Sequence, residues 1–242
     1  MVSTPAHSYH ARSLLSDDSP SSTISSSTRS RLEESLQLLR QVVETYGEGL
    51  ALSFNGGKDC TLLLYLLCAA LEDSETMRSK PLPTVYITHN HPFNEVDEFI
   101  DQCVSRYGLS LARENEPMKE GLSHFLSSSP IPVQAILVGI RFGDPYSSNL
   151  QDIQATDRGW PVFTRIHPVL RWTHDEVWEV LRAIQLPYCS LYDHGYTSLG
   201  GTNDTRPNPA LALPPNAQGV VEYAPAWKLT DSTKERDCRV KK

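Results

Sequence analysis

One short stretch of the chain combines two glycines, a lysine and an aspartate directly after an apolar run. Residues 53–59 read SFNGGKD. Gly56 and Gly57 allow the backbone to turn tightly and bring N–H groups close to a ligand, and Lys58 adds a full positive charge. A loop of this kind at the start of a helix binds an anion, and a phosphate group is its natural occupant.

The aspartate that follows the lysine points to a metal ion at the same loop. A carboxylate repels a bare phosphate, so Asp59 either holds a bridging Mg²⁺ or supports the loop through hydrogen bonds. Neither the G-x-x-x-x-G-K-[ST] pattern nor the G-x-G-x-x-G pattern of other phosphate loops fits the stretch. On the residues alone, a tight turn with solvent-exposed charges remains the alternative to a phosphate site.

Strand and helix patterns alternate around this loop. Short apolar runs predict strands, and apolar residues at helical spacing predict helices between them. Such alternation indicates an α/β fold: a Rossmann-like, doubly wound parallel sheet with helices on both faces, whose ligands bind at the carboxyl ends of the strands. The predicted strands are 50–54, 84–88, 134–140 and 162–166, and the predicted helices are 30–46, 61–71, 96–107 and 173–186.

Capping residues set the predicted ends of two of these helices. Ser30 with Glu33, and Thr173 with Glu176, have the three-residue spacing of a capping box. Gly47 supplies the residue type that commonly ends a helix.

Composition divides the chain into three parts. Residues 1–29 are rich in serine and threonine, which predicts a disordered tail. Residues 30–185 carry the alternating strands and helices of an α/β domain. Proline, glycine and asparagine are frequent in 186–242, which predicts an irregular C-terminal extension.

The overall composition restricts the class of protein. The chain has 242 residues, 39% of them hydrophobic, and a formal net charge of -7, which argues against a general nucleic-acid binder. We expect no signal peptide and no membrane span, since no apolar run is long enough. The five cysteines show no C-x-x-C pair, so we expect reduced thiols in a cytoplasmic protein. A monomer is expected, because no exposed heptad or strand pattern indicates an interface.

Five segments resemble the PP-loop nucleotide-binding (adenine nucleotide hydrolase-like) superfamily, in the variant found in eukaryotic FAD synthetases, which are relatives of the phosphoadenylylsulfate reductases. The chain leaves no room for the additional domain of the animal enzymes and so is similar to the compact, fungal type. Gly143, where threonine is usual, and the ERDCR tail, where ERAGR is usual, depart from the pattern. The segments are SFNGGKDC (53–60), GIRFGDPYSSNL (139–150), TDRGWPVFTRIHPVLRW (156–172), LPYCSLYDHGYTSLGGTNDTRPNPAL (186–211) and YAPAWKLTDSTKERDCR (223–239).

The resemblance implies an FMN adenylyltransferase, a nucleotidyltransferase that converts ATP and FMN into FAD and pyrophosphate with Mg²⁺. The terminal phosphate of FMN has a second pKa of about 6, is largely dianionic at neutral pH and needs no general base to attack the α-phosphorus in line. Catalysis then depends on positioning and on neutralising charge. This accounts for a sequence without an evident nucleophile–base pair.

The resemblance also implies roles for individual residues. Asn55, Lys58, Asp59, Asp144 and Arg236 are the expected catalytic residues, with Asp59 as the metal ligand. The expected ATP-binding residues are Ser53, Phe54, Asn55, Gly56, Gly57, Lys58, His89, Val138 and Gly139. The expected flavin-binding residues are Arg141, Asp144, Asp157, Arg158, Gly159, Trp160, Arg236 and Arg239.

Several of these residues have simpler interpretations. His89 and His91 could lie on a solvated loop, and Arg141 could form a salt bridge with Asp144. Arg236 and Arg239 could belong to a frayed, basic C-terminus.

One cysteine and two tryptophans also have predicted roles. Cys60 lies where a helix start would lower a thiol pKa, yet a small buried residue is the favoured interpretation. Trp172 and Trp178 are expected to pack in the core.

Three other functions compete with adenylyl transfer. A sulfonucleotide reductase needs a reactive cysteine near the C-terminus, and Cys238 is the candidate. A non-catalytic nucleotide or flavin sensor would keep the fold without the charged residues. A tRNA-modifying adenylating enzyme is disfavoured by the acidic charge of the chain.

Overall fold

A computed structural model of the protein describes residues 24–72, 74, 77 and 80–240, and these form one α/β unit. The helices are α1 (Ser26–Tyr46), α2 (Lys58–Leu71), α3 (Asn94–Tyr107), α4 (Met118–Ser128) and α5 (His174–Ala183). The strands are β1 (Leu50–Ser53), β2 (Leu82–Ile87), β3 (Leu109–Glu114), β4 (Ala135–Val138), β5 (Ile153–Ala155) and β6 (Thr164–Ile166).

The strands form one sheet in the order β3-β2-β1-β4-β6-β5. All neighbours pair in parallel except β5, which is antiparallel to β6. The chain leaves β1 toward β2 on one side and later returns to β4 on the other. The carboxyl ends of β1 and β4 therefore flank the switch point, where doubly wound sheets bind their ligands.

The two faces of the sheet are covered unequally. Helices α1, α2 and α5 pack together on one face and share the larger core. Helix α4 packs on β2 and β3 of the other face, over a smaller cluster that includes Leu122, Phe125 and Phe163. Helix α2 is buried almost all round, as its continuous apolar sequence predicted. The doubly wound, mostly parallel architecture is confirmed.

Helix α1 begins earlier than its capping pattern predicted. Ser25, not Ser30, is the N-cap, and its side chain accepts a hydrogen bond from the Thr28 amide. Its own backbone N–H donates to Glu179 of α5 at 2.5 Å, a contact that lies outside the local pattern. Residues 26–29 are thus helical, and residues 1–23 of the predicted tail lie outside the described residues.

The other two capping predictions are confirmed. Gly47 closes α1 with a positive φ of 48°. Thr173 and Glu176 form both hydrogen bonds of a capping box at the start of α5.

Three elements were not predicted, namely β3, α4 and β5. Strand β3 is an edge strand whose residues Ser110 and Arg113 are exposed, so it lacks a continuous apolar run. Helix α4 begins after Pro117 and carries few apolar residues, and β5 has only three residues. The apolar pattern of each element is therefore weak, and its structure depends more on the elements that it packs against.

The segment after α5 contains short 3₁₀ turns and little regular structure, as predicted. It nevertheless has a buried polar interior, in which Thr197 and Asn208 have no exposed surface. Asn208 Nδ2 donates to Thr197 Oγ1 and to the Lys234 carbonyl, both at 2.8 Å. These bonds fasten residues 197–208 to the C-terminal residues.

The described residues include no helix that combines the length and apolar character needed to cross a membrane.

Candidate active site

The loop between β1 and α2 is shaped by its glycines and its asparagine. Gly56 has a φ of 71°, a backbone conformation that residues with a Cβ rarely adopt. The Asn55 side chain accepts a hydrogen bond from the Gly57 amide at 3.0 Å, so it turns back on its own loop. Helix α2 begins at Lys58, three residues before the predicted start, and its N-terminal dipole faces the end of the sheet.

Four charged side chains meet at the end of this loop and form a closed ring, the ion-pair quartet: Lys58, Asp59, Arg141 and Glu235. Lys58 Nζ lies 2.5 Å from Glu235 and 3.1 Å from Asp59. Arg141 lies 2.5 Å from Glu235 and 2.7 Å from Asp59. Each cation therefore contacts both carboxylates, and the two positive and two negative charges balance.

The quartet is largely shielded from water. The side chains of Lys58 and Arg141 are only 2% and 6% exposed. The Arg141 Nε and Asp59 Oδ1 atoms lie 2.7 Å apart without the angles of a hydrogen bond, so charge attraction joins them. The simpler interpretation of Arg141, a salt bridge with Asp144, is not found, because Asp144 instead accepts a hydrogen bond from the Arg141 backbone N–H at 2.9 Å.

Pairing inside the quartet shifts the pKa values of Lys58, Arg141 and Glu235 toward the charged form. Burial alone would raise the pKa of Glu235, but attraction to Lys58 and Arg141 lowers it to about 2. Burial likewise works against the Lys58 charge, yet Asp59 and Glu235 raise its pKa. These three groups are therefore ionised at neutral pH.

A cavity of about 260 Å³ opens beside the quartet at the switch point of the sheet, and we call it the cleft. It is bounded by the phosphate loop on one side and by the C-terminal residues on the other. The predicted residues that line it are Asn55, Gly57, Lys58, Asp59, Gly139, Asp144, Arg236 and Arg239, and the unpredicted ones include Tyr192 and Glu235.

The two C-terminal arginines both reach the cleft but are held differently. Arg236 is 41% exposed and lies 3.7 Å from Asp144. Arg239 donates to the Leu199 carbonyl at 2.7 Å and pairs with Asp204. Its guanidinium fills the place that a Cβ on Gly200 would occupy, so this glycine is required for the contact. Arg236 and Arg239 therefore line the cleft, and the described part of the C-terminal segment is held in place at Arg239.

Asp144 stands beside Arg236 at the mouth of the cleft. Burial and the neighbouring Asp59 charge raise its pKa, although the Arg141 amide and Arg141 charge oppose the shift. Because the side chain has one oxygen near an exposed arginine, it is available to a ligand.

Gly139 lies at the end of β4, where it touches α2. A Cβ on Gly139 would lie 2.7 Å from Cys60 Sγ and 2.9 Å from the Cys60 backbone. Gly139 is an expected ATP-binding residue, and the structure shows that the strand–helix contact also requires it to lack a Cβ. Cys60 is buried, which confirms the favoured interpretation, and burial raises its thiol pKa to about 12.

Some predicted binding residues lie in the walls behind the cleft. Phe54 is fully buried in the core, and Gly56 packs against Ile100 of α3. Ser53 and Val138 pair with each other at the ends of β1 and β4. They contribute backbone to this edge of the sheet more than side chains to the cleft.

Two histidines follow β2 near the same edge. His89 is exposed, and its pKa is lowered by partial burial and by the Arg239 charge, which places it near that arginine. The His91 carbonyl accepts the Thr202 amide at 2.8 Å. Neither side chain is among the residues that bound the cleft.

The segment Asp157–Trp160 is not brought into the cleft. It forms the turn of the β5–β6 hairpin, and Ala155 pairs with Thr164 at the start of β6. Because β6 runs parallel to β4, this turn lies toward the amino-terminal edge of the sheet, opposite the phosphate loop. Asp157 lies 3.2 Å from Arg165, and Trp160 is 40% exposed.

Sequence reasoning missed Glu235 and Tyr192. Glu235 precedes Arg236 in the ERDCR segment, but its partner Lys58 is 177 positions away. The Tyr192 hydroxyl accepts the Lys58 amide at 2.8 Å across 134 positions. The only available signal was their place inside segments that resemble the family.

The remaining cysteine and tryptophan predictions are resolved by burial. Cys238 has no exposed surface, and its thiol contacts the Ser198 carbonyl at 3.3 Å. This excludes it as a surface nucleophile and removes the basis for a reductase that uses it. Trp172 and Trp178 are buried in the core, as predicted.

Among the described residues, no cluster of three or more histidine, cysteine, aspartate or glutamate side chains is arranged to hold a metal.

Comparisons with known proteins agree with the geometry. A family model described as the phosphoadenosine phosphosulfate reductase domain matches residues 49–207. The chain is 42% identical to a probable FAD synthase of Schizosaccharomyces pombe, over 86% of this chain and 78% of the relative. It is 38% identical to a probable FAD synthase of Caenorhabditis elegans, over 85% of this chain but 40% of that longer relative.

A solved structure extends the likeness to nearly the whole chain. The FMN adenylyltransferase of Candida glabrata, in complex with FMN and the ATP analogue AMPCPP, superposes with a TM-score of 0.86 at 29% identity. The match covers 98% of this chain and 95% of the other.

Proposed function

The chain belongs to the FAD synthase family, and we propose that it carries out the family's reaction in the cleft: transfer of the adenylyl group of ATP to FMN, with release of pyrophosphate. The assignment of the site rests on one observation: two binding features lie in the same cavity. A phosphate loop at a helix N-terminus faces Asp144 and Arg236 across the cleft. One wall suits the polyphosphate, and the other suits a second phosphorylated substrate.

The reaction requires the two substrate phosphates to be oriented and their negative charge to be neutralised. A phosphate oxygen of FMN forms a bond to the α-phosphorus of ATP, and the bond from that phosphorus to the β-bridging oxygen breaks. The FMN phosphate is largely dianionic at neutral pH, so no proton has to be removed. The protein therefore contributes mainly by holding the two phosphates in line and by stabilising the departing pyrophosphate.

We assign the pyrophosphate portion of ATP to the loop and the start of α2. The loop offers backbone N–H groups and the helix dipole, with Ser53, Phe54 and Gly56 shaping the turn. Lys58 belongs to the quartet, so it acts on the polyphosphate from a fixed position through its charge. Arg141, the other cation of the quartet, remains a proposed flavin-binding residue. Asn55 acts by fixing the Gly57 amide. His89, Val138 and Gly139 remain the proposed neighbours of the nucleoside.

Mg²⁺ fits this site as an ion that arrives with the nucleotide. Charges around the cleft balance: the cations are Lys58, Arg141, Arg236 and Arg239, and the carboxylates are Asp59, Asp144, Asp204 and Glu235. The polyphosphate of ATP therefore needs further positive charge, which the ion supplies when bound.

Asp59 is the proposed protein ligand of this ion. Its two oxygens already contact Lys58 and Arg141. The donor set therefore fits an ion held mostly by phosphate and water oxygens, with a single carboxylate oxygen from the protein.

We assign FMN to the opposite wall of the cleft. Arg236 is the exposed cation available to the FMN phosphate, with Asp144 and Arg239 beside it. The turn Asp157–Trp160 remains the proposed partner of the flavin ring, with Trp160 as its flat surface and Asp157 as its polar contact. This part of the assignment rests on the resemblance alone, since the turn does not line the cleft and lies toward the amino-terminal edge of the sheet.

The proposal includes the organisation and setting of the chain. The nucleotide-binding domain includes the whole of α1 and so extends from Ser25 to residue 185, and residues 186–242 complete the site. A monomer in the cytoplasm is proposed, the latter because all five cysteines are unpaired.

The function is tested by incubating the purified chain with FMN, ATP and Mg²⁺ while following flavin fluorescence, which falls as FAD forms. Pyrophosphate release is measured in the same samples. We expect both signals to require Mg²⁺. The Asp59→Asn variant, which keeps the size of the side chain, should lose about a hundredfold or more in rate, because both the metal contact and the quartet charge are altered.

Asp101→Asn is the matched control. Asp101 is 71% exposed on α3 and pairs with Arg113 away from the cleft. Its variant should retain the full rate. Binding of FMN and ATP by the native chain without FAD formation would contradict adenylyl transfer and favour a flavin or nucleotide sensor.

A further inference from the structure

The Tyr192 side chain ends beside the phosphate loop. It belongs to a short 3₁₀ turn, Ser190–His194, in the irregular C-terminal part. Its ring is 1% exposed, yet the residue lines the cleft. The hydroxyl oxygen accepts a hydrogen bond from the Lys58 backbone N–H at 2.8 Å. It would lie 3.7 Å from a Cβ built on Gly57. The oxygen is therefore located where the loop meets the first turn of α2.

The hydroxyl proton is not used by this contact. A tyrosine hydroxyl is both a donor and an acceptor, and here the oxygen accepts from Lys58. The hydrogen bonds found among residues 24–240 include none that Tyr192 donates. Burial, and then the Asp59 charge, raise the Tyr192 pKa well above its usual value, so the group keeps its proton at neutral pH.

Aromatic packing fixes the direction of the hydroxyl. The Tyr192 ring meets Trp178 edge to face, with centroids 5.3 Å apart, and Tyr188 packs nearby at 6.3 Å. Lys58 Nζ lies 5.9 Å from the Tyr192 ring centroid. A donor held in this way binds its acceptor with little loss of side-chain freedom, which favours a role in a preorganised site.

We propose that the Tyr192 hydroxyl donates a hydrogen bond to the β- or γ-phosphate of ATP and stabilises the pyrophosphate as it departs. This inference rests on the proposed function and assigns one more residue to the same site. The Tyr192 hydroxyl would accept a hydrogen bond from the Lys58 backbone N–H and donate one to the leaving pyrophosphate, so it would link the two. A purely structural cap of α2 is the alternative.

The experiment compares Tyr192→Phe with Tyr188→Phe in the full chain. Each removes one hydroxyl from the same aromatic cluster, but the Tyr188 hydroxyl donates to Asp193 at 2.9 Å, away from the loop. Calorimetry measures the dissociation constants of pyrophosphate and of AMP, and turnover gives kcat and the KM for ATP.

A hydrogen bond to a charged phosphate predicts that Tyr192→Phe binds pyrophosphate about ten- to a hundredfold more weakly. AMP binding and FMN binding should be unchanged, and Tyr188→Phe should match the native chain. Unchanged pyrophosphate affinity in a folded Tyr192→Phe variant, even with a lower melting temperature, would overturn the proposal and leave only the cap.

A second measurement covers the case in which Tyr192→Phe does not fold. The chain is prepared with 3-fluorotyrosine at position 192, and its fluorine resonance is followed. Pyrophosphate should shift the resonance and AMP should not, whereas equal responses to both would contradict the contact. Because pyrophosphate binding is measured without turnover, failure of this proposal remains distinct from failure of adenylyl transfer.

Discussion

The two walls of the cleft are built by different means. The wall formed by β1, the glycine loop and α2 draws its residues from one continuous segment, 50–71, held by regular backbone hydrogen bonds. The facing wall draws on Asp144 and on residues 192–239, where single side chains hold the chain in place. Thr197 Oγ1 donates to the Glu235 carbonyl at 2.6 Å, and Asn208 bonds to the Lys234 carbonyl.

This difference separates local from long-range specification. The first wall needs only the order of apolar, glycine and charged residues along the chain. The second exists only once distant segments have met, and the quartet is where the two walls are joined. The experiments below act on that junction first, then on each wall.

Removal of Glu235 should have the largest effect. Glu235→Ala leaves Lys58 and Arg141 buried with Asp59 as their one remaining partner in the quartet. Breaking a buried ion pair on one side costs about 3–5 kcal/mol. We expect a loss of this size in urea unfolding, together with loss of FAD formation, because the walls are no longer joined.

Lys234→Ala is the control for this change. The neighbouring Lys234 side chain is 52% exposed and pairs with Asp231 at 3.6 Å, so its removal should cost less than about 1 kcal/mol. Equal losses for the two variants would show that the segment, and not the quartet, is what matters.

Acid should weaken the same junction in a defined pH window. The Glu235 pKa is lowered from 4.5 to about 2 in the folded chain. The ionised carboxylate therefore stabilises the folded chain fully above pH 4.5, and this stabilisation is lost as the pH falls through 2. The shift corresponds to about 3 kcal/mol in the free energy of unfolding. The native chain should therefore lose its advantage over Glu235→Gln between these pH values, as followed by urea unfolding. A constant difference across the window would contradict the ionised carboxylate.

Gly139→Ala tests the first wall alone. The new Cβ would overlap both the thiol and the backbone of Cys60, and strain of this kind costs about 1–3 kcal/mol. Adding Cys60→Ala should recover only part of the loss, because the backbone overlap remains. Full recovery, measured by thermal unfolding, would show that the sulfur alone determines the contact.

The hairpin turn is expected to show the smallest effect on stability. Trp160→Ala should change unfolding by less than about 0.5 kcal/mol, since the side chain is partly exposed. It should nevertheless weaken FMN binding about fivefold, if about 1 kcal/mol of ring stacking is lost. The control is Val162→Ala on the same hairpin, where the native side chain is 92% exposed. Unchanged FMN affinity would place the flavin ring elsewhere.

The contrast between local and long-range specification also explains which parts of the structure the sequence could predict. The strands β1, β2 and β4 are largely buried, so their apolar runs stand out, whereas edge strand β3 alternates with exposed residues. The phosphate loop was predicted from residues within one turn. Glu235 and Tyr192 could not be found in this way, because periodicity describes neighbours along the chain and their partners lie more than a hundred positions away.

The closed ring of the quartet also bears on how this enzyme can change over evolution. Each of positions 58, 59, 141 and 235 neutralises two others, so a single charge substitution leaves two groups unbalanced in a buried setting. Aligned relatives should therefore vary at these four positions together or not at all. Variants selected for other substrates should accumulate their changes around the ring, at residues such as Arg236, while the ring itself is inherited as a unit.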